Sequence, residues 1–184
     1  MNAPNIYDAL AAVLTYPDES YLAAVRDAAQ VAPPEIEPPL QEFTRELEGK
    51  NTLELQELFT TTFDLNPVCS LELGWHLFGE NYDRGLLLVR MRELLRQHGI
   101  PEDGELPDHL TYALRLIGRM DAQARHDFAA AIVLPALGKM LDAFREKQNP
   151  YQKVLGAIKT QLRSLCPEVP IFIPQAEPVL RILD

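Results

Sequence analysis

Residues 149–165 read NPYQKVLGAIKTQLRSL, and this stretch shows most directly which fold the chain adopts. Asn149-Pro150 is typical of a helix start, because a capping side chain is followed by a proline that suits the first turn. Apolar residues then recur at the spacing of one helix face: Tyr151, Val154, Leu155, Ile158, Leu162 and Leu165. The stretch therefore predicts an amphipathic helix whose apolar side must pack against other helices.

The same helical spacing recurs upstream, and no alternating strand pattern is bounded by Asn-Gly or Asp-Gly hairpin turns. Four prolines in 31–39 predict a rigid connector. The spacing predicts helices after Asn5, near Asp18, through Phe43, from Asn51 or Thr52, over Ser70–Phe78, over Tyr82–His98, through Leu110, and over Ala122–Lys147 with a kink or break at Pro135. The predicted fold is an all-α, single-domain bundle of about eight to nine helices over residues 1–184, with a proline-rich extended tail at 166–184.

Length, charge and cysteine content narrow the class of protein. The 184 residues suit one domain, and the formal net charge of −10 argues against a nucleic-acid partner. Cys69 and Cys166 match no metal-ligand or redox spacing, which favours isolated thiols in a reducing compartment. The start of the chain lacks the basic region of a signal peptide, and the longest apolar run, 128–138, is too short to span a membrane. We therefore expect a cytoplasmic protein without stable membrane association.

Signatures of catalysis and of metal binding are missing. The sequence contains no glycine-rich phosphate loop, no G-x-S-x-G turn and no H-E-x-x-H helix. We therefore predict no catalytic residues, no metal ligands and no cofactor. Two alternatives stay open: a helical metalloprotein or enzyme that uses His76, His109 and scattered carboxylates, and a helical regulatory module for an unrelated protein.

Three short stretches place polar and charged residues at predicted helix ends. Residues 14–19 read LTYPDE, a helix stop followed by an acidic helix start. Residues 79–85 read GENYDRG, where Asp83 suits the positive end of a helix and Gly85 would permit close approach of a neighbouring helix. Residues 105–110 read ELPDHL, where Pro107 suits the first helical position and Asp108 could complement the helix dipole or take the cap.

The order of the motifs is more informative than any one of them. After LTYPDE come LQELF at 55–59, SLEL at 70–73, DRG at 83–85 and ELPDHL at 105–110. In this order, over about Leu10 to Leu116, the chain resembles the assembly chaperones of molybdenum oxidoreductases. It is most similar to their nitrate reductase delta-subunit (NarJ-like) branch, which is related to the TorD/DmsD-type redox enzyme maturation proteins. The ELPDHL stretch is the most specific element of the resemblance.

The resemblance implies a cytoplasmic, all-helical protein that is not an enzyme. Such chaperones bind the N-terminal segment, often a twin-arginine signal or its remnant, of the catalytic subunit of a molybdopterin oxidoreductase. They keep that subunit competent for insertion of the molybdenum cofactor and restrain premature targeting. We accordingly expect this N-terminal peptide as the partner of a monomer or dimer.

A peptide-binding role requires an apolar groove between helices. The candidate walls are Phe59, Phe63, Leu71, Trp75, Phe78 and Tyr112, although apolar residues in such positions more often belong to the core. The resemblance adds the ELPDHL residues Leu106, Pro107, Asp108 and His109 to the peptide-binding region, and leaves open whether Asp108 contacts the peptide or only caps a helix. It implies that Asp83, Arg84 and Gly85 hold the two helical halves together.

Two further features bear on the partner. An acidic stretch could steer a basic peptide, or be only a solvated helix face: Glu35, Glu37, Glu42, Glu46, Glu48, Glu54 and Glu57. The sequence ends at Asp184, whereas many nitrate reductase chaperones have a long polar C-terminal extension. Another molybdenum dehydrogenase or reductase therefore fits as a client equally well.

Overall fold

Side-chain caps set the start of several helices in the computed structural model, which describes residues 5–144 and 148–166. The Asn5 side chain accepts a hydrogen bond from the Tyr7 backbone at the start of α1, Ile6–Val13. Asn51 and Glu54 form a reciprocal capping box at the start of α4, Thr52–Phe59. Asn149 accepts from the Tyr151 backbone at 2.9 Å, as its Asn-Pro sequence predicts, and α10 spans Tyr151–Arg163.

The remaining helices complete an all-α fold, which confirms the predicted fold class. They are α2 Tyr21–Val31, α3 Glu37–Leu47, α5 Leu73–Phe78, α6 Tyr82–Gln97, α7 Leu110–Ile117, α8 Ala122–Phe128 and α9 Leu134–Ala143. Within the described residues no strand occurs, and one isolated antiparallel bridge joins Glu72 to His109. A π-helical turn, 129–133, makes α8 and α9 continuous, so these residues form nine helices if 122–143 is counted once.

The helices pack around one apolar core. Helix α1 lies against α2 and α7, and α3 lies between α2 and α10. Helix α9 contacts both α10 and α5, and α5 contacts α6. Tyr112, Tyr151, Phe43 and Phe128 are the largest fully buried side chains. The short helix α5 therefore packs between α6 and α9.

Prolines shift two of the predicted boundaries. The predicted connector over 31–39 is too long, because α3 already begins at Glu37 and places Pro38 and Pro39 in its first turn. Proline is tolerated there, since the first backbone N–H groups of a helix have no partner within the helix. Pro135 is the second residue of α9 and follows the π-helical turn. Proline has no backbone N–H to donate, and the change of hydrogen-bonding pattern at this turn tolerates the missing bond. Helix α9 ends at Ala143, and the predicted end at Lys147 lies outside the described residues, as does the tail from 167 onward.

Two other boundaries differ, one at the SLEL motif and one at the ELPDHL motif. The predicted helix over 70–78 is too long, because α5 begins only at Leu73 and residue 72 is extended. Pro107 does not occupy the first helical position, because α7 begins at Leu110 with His109 as its cap. Both differences arise because 71–73 and 108–110 pair with each other through their backbones, so that the helices begin only at Leu73 and Leu110.

Candidate functional site

The SLEL and ELPDHL motifs meet as two paired backbone segments. The Leu73 backbone N–H donates to the Asp108 carbonyl at 3.0 Å, and the Leu110 N–H donates to the Leu71 carbonyl at 2.8 Å. The antiparallel bridge between Glu72 and His109 lies between these hydrogen bonds. Two motifs more than 30 residues apart in sequence are thus joined at the start of α5 and of α7.

Asp108 is fully buried at this junction, with no exposed surface. Its Oδ2 accepts a hydrogen bond from the Gly74 backbone at 2.9 Å and lies 3.7 Å from the Arg84 Nε. Burial raises the pKa of the Asp108 carboxyl, and the nearby Arg84 guanidinium partly offsets this effect. A Cβ atom on Gly74 would lie 2.6 Å from the Asp108 Oδ2, so any other residue at this position would force the carboxylate to shift.

Arg84 connects helix α6 to this junction. Its guanidinium lies over the Trp75 ring, 5.7 Å from the ring centroid, in addition to its ion pair with Asp108. Gly85 behaves differently from the prediction: it is exposed, and no atom would contact a Cβ placed there. The expectation that Gly85 permits close helix approach is therefore wrong, and within the Asp-Arg-Gly motif Arg84 makes the contact between segments.

His109 caps α7 with its imidazole ring. The Nδ1 atom accepts from the Thr111 backbone N–H and lies 2.7 Å from the Thr111 hydroxyl. The residue is only 5% exposed, and burial lowers the pKa of its imidazole to about 4, so the ring is neutral near pH 7. In the described part of the chain, the Nε2 atom has no hydrogen-bond partner.

A cleft of about 360 Å³ opens beside this junction, between the π-helical turn that follows α4 and the paired segments. Its apolar floor consists of Phe59, Phe63, Leu71 and Trp75, and His109 borders it. Its polar and proline rim consists of Asp64, Pro67, Ser70, Glu72, Arg84 and Glu105. We call these eleven residues the cleft. The volume lies within the range of pockets that bind small ligands, roughly 300–1,000 Å³.

The structure brings five of the predicted site residues together in the cleft: Phe59, Phe63, Leu71, Trp75 and His109. The other five do not line it: Phe78 is half-buried in α5, Leu106 is 44% exposed, and Pro107, Asp108 and Tyr112 are buried. The Tyr112 hydroxyl donates instead to the Asp103 carboxylate. Direct contact of these residues with a peptide stays a prediction, and Asp108 shapes the cleft through Gly74 and Arg84.

Four charged cleft residues were not among the predicted binding residues: Asp64, Glu72, Arg84 and Glu105. Burial raises the pKa of Glu105, and the negative charges of Glu72, Asp64 and Asp103 raise it further. Asp64 follows Phe63, Glu72 lies within SLEL and Glu105 begins ELPDHL, and acids in such positions are too common in helical sequences to indicate a binding site. None of the seven glutamates of the acidic stretch over 35–57 lines the cleft; Glu42 and Glu46, for example, pair with Lys153.

Other features of the described residues offer no second chemical centre. No group of three or more histidine, cysteine, aspartate and glutamate side chains within 5–144 and 148–166 could hold a metal ion. Cys69 and Cys166 are buried and form no disulfide. None of the helices described combines the length and the apolar character that crossing a bilayer requires.

Comparison with known proteins gives consistent results. Residues 28–155 match the family model described as nitrate reductase delta subunit. The nitrate reductase molybdenum cofactor assembly chaperone NarJ of Escherichia coli K12 is 30% identical over 110 residues, which cover 59% of this chain and 46% of NarJ. A probable NarJ of Bacillus subtilis is 26% identical over 123 residues, 64% of this chain and 67% of that protein. The chain thus spans about half the length of the Escherichia coli relative it matches.

A solved structure shares the fold. The crystal structure of a putative redox enzyme maturation protein from Archaeoglobus fulgidus superimposes with a TM-score of 0.61 at 22% identity. The match covers 85% of this chain and 91% of that chain. At this level of identity the likeness establishes the helical architecture alone.

Proposed function

The chain belongs to the nitrate reductase delta subunit family, and we propose that it is an assembly chaperone for a molybdopterin oxidoreductase such as nitrate reductase. Its Escherichia coli and Bacillus subtilis relatives are named as molybdenum cofactor assembly chaperones. In this role the protein is not an enzyme and works in the cytoplasm, where it keeps the catalytic subunit competent for cofactor insertion.

The client region is the N-terminal segment of the catalytic subunit, and the cleft is its docking site. The observation that carries this proposal is the cleft itself, in which Phe59, Phe63, Leu71 and Trp75 form an apolar floor under an acidic rim. An extended or helical peptide binds to another protein mainly by placing apolar side chains in such pockets. The bridge between Glu72 and His109 joins two of the segments that line the cleft, which fixes their relative position.

Magnitudes favour the apolar floor as the main source of affinity. Burying three apolar side chains yields about 1.5–3 kcal/mol each, while association itself costs several kcal/mol. Binding at micromolar Kd corresponds to about −8 kcal/mol, so the floor must be well filled. Exposed ion pairs add only about 0–1 kcal/mol each, and the net charge of −10 mainly accelerates the approach of a basic segment.

Co-purification tests the proposal directly. Tagged full-length chain, expressed in its source organism, is captured, and the co-purifying proteins are identified by mass spectrometry. We expect the catalytic subunit of a molybdopterin oxidoreductase, and we expect its recovery to disappear when the first ~30 residues of that subunit are deleted. The absence of any such subunit from the captured material would contradict the chaperone role.

A matched pair of variants tests the location. Trp75→Ala removes a half-buried cleft side chain, whereas Leu53→Ala removes a side chain that is 72% exposed and does not line the cleft. We expect Trp75→Ala to lower client recovery at least fivefold and Leu53→Ala to leave it unchanged, at equal protein levels and equal helical circular dichroism. Equal recovery with both variants would show that the client binds outside the cleft.

Metal analysis of the purified chain separates the chaperone from the alternative of a metalloprotein or enzyme that uses His76 and His109. The chaperone role predicts no metal at stoichiometric amounts. His76 already donates its ring Nε2–H to the Ser70 carbonyl at 2.6 Å, and His109 caps α7, so each imidazole has a structural partner.

A further inference from the structure

Helix α6 is apolar on two opposite sides. The side that packs against α5 and α7 carries its buried residues, Leu87, Met91 and Leu95. On the other side, Tyr82 is 77% exposed, Leu86 is 37% exposed and Val89 is 52% exposed. Because a helix turns by about 100° per residue, the spacing i, i+4 and i+7 places these three residues on one face. We call Tyr82, Leu86 and Val89 the α6 stripe.

The α6 stripe has the character of a protein-binding surface. A surface helix ordinarily turns polar and charged residues to water on the side away from the core. Large apolar side chains that lie next to one another there, with charged residues around them, are instead typical of contact with another protein. The stripe lies on a regular helix of 16 residues, so little conformational freedom is lost when a partner binds to it.

The two ends of the α6 stripe carry opposite charge. Glu80 and Asp83 lie at its beginning, and Arg84, which follows them, is turned to the opposite side of the helix, where it pairs with Asp108. Beyond Val89 come three arginines and one glutamate, at positions 90, 92, 96 and 93. Two of these arginines form exposed ion pairs, with Glu93 and with Glu102, and the exposed Arg96 leaves this end with an excess of positive charge.

This charge pattern is complementary to itself in one orientation. If two α6 helices pack in parallel, their acidic ends meet and their basic ends meet. If they pack antiparallel, the acidic end of each helix lies beside the basic end of the other, and both favourable contacts form at once through a two-fold axis. Tyr82 of each copy then lies opposite Val89 of the other, and Leu86 lies near the axis.

We propose that the α6 stripe is the interface of a weak dimer of this chain, in which the α6 helices of two copies pack antiparallel. Three side chains per copy make a small interface, and the net charge of −10 opposes self-association, so we expect a Kd of about 1–100 µM. Salt at about 0.15 M screens charges more than about 8 Å apart and leaves the local pairing of the helix ends.

The cleft stays open in this dimer. Arg84 faces the cleft from α6, where it contacts Asp108 and the Trp75 ring, and it lies on the side of the helix opposite the α6 stripe. Dimerisation through the stripe therefore covers none of the apolar floor of the cleft. The inference is independent of the proposed function, and its tests leave the cleft unchanged.

Sedimentation velocity of the purified full-length chain, at protein concentrations on both sides of the expected Kd and in about 0.15 M salt, tests for the dimer. We expect the weight-average mass to rise from that of a monomer toward that of a dimer as the concentration increases. Leu86→Gln with Val89→Gln should weaken the dimer at least tenfold, at equal helical circular dichroism, because both side chains are at least partly exposed in the single chain.

The matched control is Leu65→Gln with Val68→Gln. These two apolar residues are 72% and 58% exposed and lie outside α6, so their replacement removes a similar amount of apolar surface. We expect the control variant to dimerise with the Kd of the unchanged chain. This comparison separates the α6 stripe from general association of exposed apolar side chains.

Single cysteines test the antiparallel orientation. In the proposed dimer the two copies of residue 86 lie side by side, whereas the two copies of residue 82 lie about 10 Å apart along the helix axis, at about 1.5 Å per residue. Under mild oxidation we expect Leu86→Cys to give at least fivefold more disulfide-linked dimer than Tyr82→Cys. A mixture of Tyr82→Cys and Val89→Cys should restore the yield. Cys69 and Cys166 are buried, so the introduced thiol is the one that reacts.

Several outcomes would overturn the dimer. These are a monomer at every concentration up to about tenfold above the expected Kd, a dimer that survives Leu86→Gln with Val89→Gln, or equal loss in the control variant. Equal disulfide yields from Tyr82→Cys and Leu86→Cys would overturn the antiparallel packing. A monomer in which Leu86→Gln with Val89→Gln instead lowers client recovery would show that the stripe binds the client, not a second copy.

Discussion

Replacement of Gly74 by alanine tests the junction that supports the cleft. The new Cβ would lie 2.6 Å from the Asp108 Oδ2, 3.0 Å from the Leu87 Cδ2 and 3.1 Å from the Arg84 Cγ. Its nearest neighbour is a fully buried carboxylate that accepts the hydrogen bond of the Gly74 backbone itself. Asp108 therefore cannot retreat from the methyl group without weakening that hydrogen bond.

The expected magnitude follows from three opposing contributions. Overpacking a core site costs about 1–3 kcal/mol, and loss of a hydrogen bond to a charged group costs about 1.5–3 kcal/mol. Alanine regains up to about 1 kcal/mol over glycine in a helix. We expect Gly74→Ala to lower the free energy of unfolding by about 2–4 kcal/mol, which lowers the melting temperature by about 5–10 °C in a chain of this size.

Gly85→Ala is the matched control. Gly85 lies in helix α6 three residues after its start, and no atom lies within 4 Å of a Cβ placed there. The same chemical change should therefore raise the free energy of unfolding by about 0.5–1 kcal/mol. Urea unfolding, followed both by circular dichroism and by Trp75 fluorescence, measures the free energy of unfolding of both variants.

A double variant shows whether the clash with Asp108, rather than any substitution in α5, causes the loss of stability in Gly74→Ala. If the clash with Asp108 causes the loss, Gly74→Ala should cost less in a background of Asp108→Ala, with a coupling of about 0.5–3 kcal/mol. A Gly74→Ala variant as stable as Gly85→Ala would refute the reasoning. An unchanged cost in the Asp108→Ala background would locate the strain elsewhere in α5.

Two further predictions concern the histidine cap and the buried tyrosine pair. Burial lowers the pKa of His109 to about 4, so the folded state binds this proton less readily than the unfolded chain. The free energy of unfolding should therefore be at its full value above about pH 6.5. It should decline by on the order of 3 kcal/mol as the pH falls toward 4. His109→Asn retains a capping side chain, and urea unfolding at several pH values should show a shallower decline of its unfolding free energy. Burial also lowers the pKa of His76, which should account for the remaining decline. An unchanged slope in His109→Asn would contradict the assignment. Tyr21 donates to the Val13 carbonyl at 2.8 Å and lies 2.8 Å from the Tyr151 hydroxyl, so Tyr21→Phe, which deprives both groups of a partner, should cost about 1–3 kcal/mol. Tyr151→Phe leaves the bond to Val13 in place and should cost less than about 1 kcal/mol; equal losses in urea unfolding would contradict this order.

Local signals predicted the helical architecture well, because each signal acts within a few residues. The caps at Asn5, Asn51 and Asn149 and the end of α6 before Gly99 all follow from short-range hydrogen bonds and backbone preference. The errors lie where the chain pairs with a distant segment. Helical spacing over 70–78 could not show that residues 70–72 pair with 108–110, since the partner of a backbone hydrogen bond leaves no mark on periodicity.

The residues of the cleft were also only partly predictable from the sequence. The aromatic and apolar candidates Phe59, Phe63, Leu71 and Trp75 could be named from the sequence, but the same pattern also marked Phe78 and Tyr112, which do not line the cleft. Residue type and spacing predict that a side chain faces other helices. They do not distinguish a face that is covered by the core from one that borders a cavity, because that depends on the shape left between the packed helices.

The sequence by itself thus determined an acidic, all-helical chain, its helix caps and the motif order that resembles its family, because these depend on composition and on neighbours along the chain. The tertiary structure alone decided that Asp108 is buried against Gly74 and Arg84 while Asp64, Glu72 and Glu105 surround the cleft. The physical reason is that burial and electrostatic environment arise from segments 20 to 40 residues apart that the packing of α4, α5, α6 and α7 brings together.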